Sequence, residues 1–297
     1  MTAAAPSSPM PTARRGFNRR RAWVVARTEL IQLIQARDFW VPMMLLGSIF
    51  FLVIPTILLL AITSVGDIHA VQQISEAIKA LPEAAQRQVP SVMPNGSPVS
   101  DSGRTSYTLA VFLLAPIAVI VPLTISTAVG AATIVGERER GTGEFLAHSP
   151  ADVREIYGGK LLASFIPGYF TTIVGFSLYS LVVNLTVGPK VGGWFFPTHA
   201  WWLLMFWVVP PFLLLTLSLV LRLSARVKST AAAQQASGLV TLPLILIAYS
   251  QSTGALFGAA SATVLIGALA WVAAVFSIWI NLRAVTRARL LGVADEQ

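Results

Sequence analysis

Long apolar blocks alternate with short polar stretches along almost the whole chain. Blocks long enough to cross a hydrocarbon core, which takes about 20 residues, lie at Phe39–Val65, Tyr107–Val135, Leu161–Val187, Ala200–Leu221, Ala231–Ser250 and Leu256–Leu282. The pattern predicts an all-α polytopic membrane protein with six transmembrane helices, and an even number of spans puts both termini on one side. Ahead of the first span, Trp23, Ala26, Leu30, Leu33 and Ile34 recur at helical spacing within Ala22–Asp38, largely opposite Arg27, Gln32 and Gln35. That is the period of an amphipathic helix lying in the membrane interface. Residues 1–21 are rich in Pro, Ser, Ala and Arg without an apolar period, and so predict a disordered basic tail.

The polar interruptions differ in kind. The loop Gly66–Ser106 carries Val71, Ile74, Ile78 and Leu81 at helical spacing until Pro82, which predicts one amphipathic helix followed by an irregular return. Between the second and third spans the chain reads Glu137-Arg138-Glu139-Arg140-Gly141-Thr142, then Glu144-Phe145-Leu146, and restarts at Ser149-Pro150-Ala151-Asp152. At that restart Ser149 is the expected cap, Pro150 suits the first helical position, and Asp152 and Glu155 are acids where the helix dipole favours them. Two short helices outside the bilayer are therefore expected between these spans.

Within the spans, Pro42 and Pro55, Pro116 and Pro122, and the pair Pro210-Pro211 predict kinks or breaks. Trp194, Phe195, Phe196, Trp201 and Trp202 gather where the fourth span begins, as an aromatic belt does. The second span bears a stripe of Thr124, Thr127 and Ala131 beside Ser126, Gly130 and Thr133, which suits either a close packing seam or the lining of a path. Gln234, Gln235 and Thr241 in the fifth span are expensive in hydrocarbon unless they meet partners or water.

Composition and charge sharpen this picture. The chain is 55% hydrophobic and only 11% charged, against roughly a quarter charged in soluble domains. Of its 21 Lys and Arg residues, 17 fall on the side of the termini and four (Lys79, Arg87, Arg104 and Lys190) on the other. By the positive-inside rule, both termini and the Glu137–Lys160 segment face the cytoplasm of a bacterial-type cell membrane. The net charge of +8 is thereby explained by topology, and no nucleic-acid partner is called for. There are no cysteines, and His69, His148 and His199 are scattered, so no metal site and no catalytic set can be named. Gly159-Lys160 lacks the upstream glycine of a phosphate-binding loop, so the chain has no nucleotide site or cofactor of its own. Every charged side chain falls outside the spans or at their edges, where the roughly 2.5–3.5 kcal/mol insertion cost of a central charge is avoided. This counts against an ion-coupled carrier.

The run Glu137-Arg138-Glu139-Arg140-Gly141-Thr142-x-Glu144, followed by Ser149-Pro150, Glu155-Ile156 and Gly159-Lys160, resembles the cytoplasmic segment of type-2 ABC transporter membrane subunits. The resemblance implies a transmembrane domain over 22–290, with 291–297 as a tail, that acts as the permease of an exporter and is not itself an enzyme. It further implies two copies of a separate cytosolic ABC ATPase, which binds ATP and Mg, and a second membrane subunit in a homo- or heterodimer within the lipid bilayer. Coupling helices in 136–160 would then touch the ATPase. Phe145, Leu146 and Ile156 would be apolar knobs, Arg154 and Glu155 their polar rim, and Lys160 the end of the segment. In that family the second and fifth spans line the path, which points to Thr124, Thr127, Gln234, Gln235 and Thr241. The residues alone leave open a carrier without an ATPase, or a membrane anchor that only docks a cytosolic partner.

Overall fold

The computed structural model describes residues 17–65, 76, 83–139, 149–224 and 260–284. Its helices, in order, are α1 (Arg19–Gln35), α2 (37–65), α3 (Glu83–Gln86), α4 (101–113), α5 (Ile117–Glu139), α6 (Val153–Thr186), α7 (Gly188–Val191), α8 (199–224) and α9 (Ala260–Ala284). Among the described residues there is no strand, only an isolated bridge between Val92 and Pro98. Among the described residues, four stretches are long and apolar enough to cross a membrane: Trp40–Ser64, Val153–Thr186, His199–Leu223 and Ser261–Arg283. A shorter apolar stretch, Ile120–Thr133, lies within α5.

The prolines are accommodated in two ways: Pro42, Pro122 and Pro167 sit inside α-helix, and others follow a π turn. A proline lacks the N–H that would close the ladder four residues back, and a wider π turn relieves that mismatch. Such turns occupy Ile49–Val53 ahead of Pro55, Leu109–Leu113 ahead of Pro116, and Leu204–Val208 ahead of Pro210 and Pro211. In α2 and α8 the helix then continues, so the expected mid-span break at Pro210-Pro211 is replaced by a π turn. The second span does break. The chain turns through Leu114–Pro116, separating α4 from α5.

Carbonyls loosened at that break are caught by side chains from elsewhere. Tyr179 Oη donates to the carbonyl of Ala110 (2.6 Å), and Trp201 Nε1 to that of Val111 (2.9 Å). Both rings belong to a cluster with Phe176 and Phe196. Trp201, expected to anchor depth in an aromatic belt, is only 1% exposed and serves the interior instead. Trp194 and Trp202 remain exposed, as a belt requires. Asn184 closes the same end: its amide donates to the carbonyls of Ser180 and Phe196, and its oxygen accepts from the backbone N–H groups of Phe195 and Phe196.

The stripe on the second span is a packing seam where it is smallest. Gly168 on α6 has no room for a Cβ beside Ser126, and Gly130 lies against Leu217 and Ser164. Small residues let these backbones approach, as membrane helix pairs need. At the other end of the chain, the amphipathic helix starts earlier than its apolar period suggests. Asn18 caps α1 by accepting from the Arg20 N–H, so Arg19–Arg21 are helical rather than part of a tail. The expected helix over 71–81 except Glu76, the fifth span and residues 1–16 and 285–297 lie outside the described residues.

Candidate functional site

The start of α6 is where the helices of one end of the molecule converge. The helix begins at Val153, with Asp152 as its cap and Glu155 completing a reciprocal capping box: Asp152 Oδ1 accepts from the Val153 N–H (2.7 Å), and Glu155 Oε2 accepts from the Asp152 N–H (2.9 Å). Ser149 and Pro150 therefore precede the helix rather than start it, because Asp152 has the acid three residues on that a box needs. From Val153 the helix runs without interruption to Thr186. The second of the two short helices expected here is the opening of the long span itself.

Glu155 does a second job. Its Oε1 accepts from the backbone N–H of Asn18 at 2.8 Å, tying the entrance of α6 to the entrance of α1. One turn further, Gly159 lets the two helices touch: a Cβ there would meet Val25 at 2.7 Å and the Ala22 carbonyl at 2.8 Å. Next comes Lys160, whose ammonium is completely buried. Its Nζ donates to Glu29 Oε1 on α1 (2.7 Å) and to the carbonyl of Thr133 on α5 (2.6 Å). One cation thus joins three helices. A buried lysine is tolerated only with such compensation.

The opposite face of the same turns meets the remaining long helices. Ile156, Tyr157 and Leu161 pack with Leu217 and Leu221 of α8, with Ile278 and Leu282 of α9 against them. Asn281 of α9 donates to Tyr157 Oη (3.3 Å) and to the carbonyl of Ser218 (2.9 Å), while the hydroxyls of Ser218 and Ser277 pair at 2.6 Å. Residues 155–161 are thus held by α1, α5, α8 and α9 at once.

The residues expected at a coupling surface divide accordingly. Arg154 and Pro150 are exposed and Ser149 is half-buried, whereas Glu155, Ile156 and Lys160 face this chain's own helices. Ile156 is fully buried, so it is a knob of the internal core and not of an outward surface; Glu155 likewise belongs to the capping box and not to a rim. Glu137, Arg138 and Glu139 form the last turn of α5. Arg140, Gly141, Thr142, Glu144, Phe145 and Leu146 lie outside the described residues, as do Gln234, Gln235 and Thr241. Of the expected path residues on α5, Thr124 is exposed and Thr127, one turn on, is buried, its hydroxyl donating to the carbonyl of Thr124. The sequence reading missed Glu29, Asn18, Tyr157 and Asn281. An acid on the buried side of an amphipathic helix, and an Asn near the end of an apolar span, were the available signals.

Comparison with known families matches residues 23–267 to the ABC-2 family transporter protein. The chain belongs to that family. The match runs from α1 to the first turns of α9 and includes residues 155–161, while Asn18 and the α9 residues Ile278, Asn281 and Leu282 that meet them lie outside it. Comparison with curated proteins finds no match. Membership makes this ABC-2 protein a multi-pass membrane component with a permease role in transport.

Proposed function

We propose that this ABC-2 protein is the permease subunit of an ATP-driven exporter in a bacterial-type cell membrane, with six spans and both termini in the cytoplasm. Two copies of a separate cytosolic ATPase bind ATP and Mg, and two membrane subunits, identical or related, enclose the path. The convergence of α1, α5, α8 and α9 on residues 155–161 carries this reading. A displacement applied at the first turns of α6 reaches four helices through these buried contacts. The charge asymmetry of the loops supports a cytoplasmic position for that segment. Phe145, Leu146 and Arg154 are its proposed contacts with the ATPase, while Glu155, Ile156 and Lys160 pass the movement inward. The export direction rests on the resemblance of the 137–160 motif. Gln234, Gln235, Thr241 and Thr124 are the proposed path residues.

Co-purification tests the assignment. The chain, expressed in its native host and purified in detergent, is expected to retain a cytosolic ABC ATPase, and Phe145→Asp to lose it together with transport. No retained ATPase, with transport intact in Phe145→Asp, would remove the proposal.

A further inference from the structure

An apolar cleft of about 460 Å³ opens between the second half of α1, the beginning of α2 and the 166–171 stretch of α6. It arises because α1 and α6, clamped together at Gly159 and Lys160, are bridged further along by the turn at Ala36 that sends α2 into the membrane. Leu30, Ile34, Met43, Met44, Pro167 and Phe170 line it. Its volume is in the range of pockets that enclose a ligand, about 300–1,000 Å³. Thr171 adds no polar demand, since its hydroxyl donates to the carbonyl of Pro167 on the same helix.

Two exposed arginines precede the lining residues by one helical turn: Arg27 before Leu30 on α1, and Arg37 before Trp40 on α2. Arg27, grouped by its period with the polar side of α1, stands three and seven residues before the lining residues Leu30 and Ile34, a spacing that shares a helix face. Glu29, the described acid of α1, is turned inward and neutralised by Lys160, so α1 offers outward charge of one sign. A hydrocarbon-lined groove whose two lining helices each carry an exposed guanidinium one turn before it matches one chemistry: a chain of methylenes under an anionic phosphate. Arginine is suited to hold that phosphate, and basic amphipathic helices gain binding from anionic lipid.

We propose that this cleft is a binding site for an anionic phospholipid, with one acyl chain against Met44 and Phe170 and the headgroup phosphate on Arg27 and Arg37. The site is independent of ATPase coupling and stands or falls without it.

The absence of cysteine makes a single fluorescent label unambiguous. Met44→Cys in the full-length chain, labelled with a small fluorophore, is placed in phosphatidylcholine nanodiscs. Acyl-brominated phosphatidylglycerol or acyl-brominated phosphatidylcholine is then added at equal, low mole fraction. The expected result is several-fold stronger quenching by the anionic phosphatidylglycerol. The same label at Val272, an exposed position on α9, is expected to be quenched equally by both. Arg27→Gln with Arg37→Gln should bring the two lipids level at position 44, and Leu33→Trp should lower quenching there by both. Equal quenching in the parent, a preference that survives loss of both arginines, or a preference of the same size at position 272 would overturn the site. So would no quenching by either lipid, which would mean that a second copy or another protein segment covers the cleft.

Discussion

Lys160 illustrates how much one side chain can fix. Its ammonium, shut away from water, has a carboxylate on α1 and a carbonyl on α5 within 2.7 Å. Removing one partner of such a pair strands a buried charge and costs about 3–5 kcal/mol, whereas replacing both by apolar groups is far milder. Lys160→Met is therefore expected to lower stability by about that amount, and Glu29→Leu by a similar one. The double variant should recover most of the loss, as read by denaturant or thermal unfolding in detergent. Simple addition of the two single losses would show that the pair is not buried as described. Gly159 makes a second residue-scale prediction. Gly159→Val must push α1 from α6, because the Ala22 carbonyl and Val25 already occupy the space of a Cβ. Faster proteolysis within α1 is the expected readout, and unchanged proteolysis would contradict the close approach.

At the scale of elements, caps and breaks decide the architecture. Asp152→Ala should cost about 1 kcal/mol as a lost cap, and more than Ser149→Ala, whose residue lies before the helix; the reverse order in unfolding experiments would restore Ser149 as the cap. Trp201→Phe keeps the ring but strands the carbonyl of Val111, a buried acceptor whose loss of partner costs about 1–3 kcal/mol. A neutral outcome would mean that the break at Leu114–Pro116 needs no such support. These elements also mark what the sequence could convey. Apolar length located α2, α6, α8 and α9, and Pro55, Pro116 and Pro210-Pro211 located three of the irregular turns, while Pro42, Pro122 and Pro167 bring none. The sequence could not tell a kink from a π turn that lets the helix go on, because that depends on whether neighbours satisfy the loosened carbonyls. Nor could period alone separate the faces of α1. Trp23 and Ile34, read as part of its apolar face, are exposed, while Ala22, Ala26 and Glu29 meet α6.

For the whole molecule, the described helices form a bundle with two tied ends. One end is held by the aromatic cluster and Asn184, the other by the start of α6. The described parts of the motif that makes the family recognisable, 137–139 and 149–160, lie at the second end. The motif was legible because its charges interrupt an apolar chain, but its internal partners were not: Lys160 finds Glu29 across 131 positions of sequence, a pairing no local pattern encodes. The loop charges predict the orientation, and the buried contacts of residues 155–161 predict that a push on the preceding segment is transmitted and not absorbed.

The most direct test of that claim is the accessibility of Arg154, the exposed residue of α6's first turn. Arg154→Cys, the single thiol of an otherwise cysteine-free chain, is expected to react with a membrane-impermeant maleimide in inverted vesicles and not in intact cells. Binding of the ATPase should slow that reaction. Labelling from outside intact cells, or a rate indifferent to the ATPase, would contradict the account.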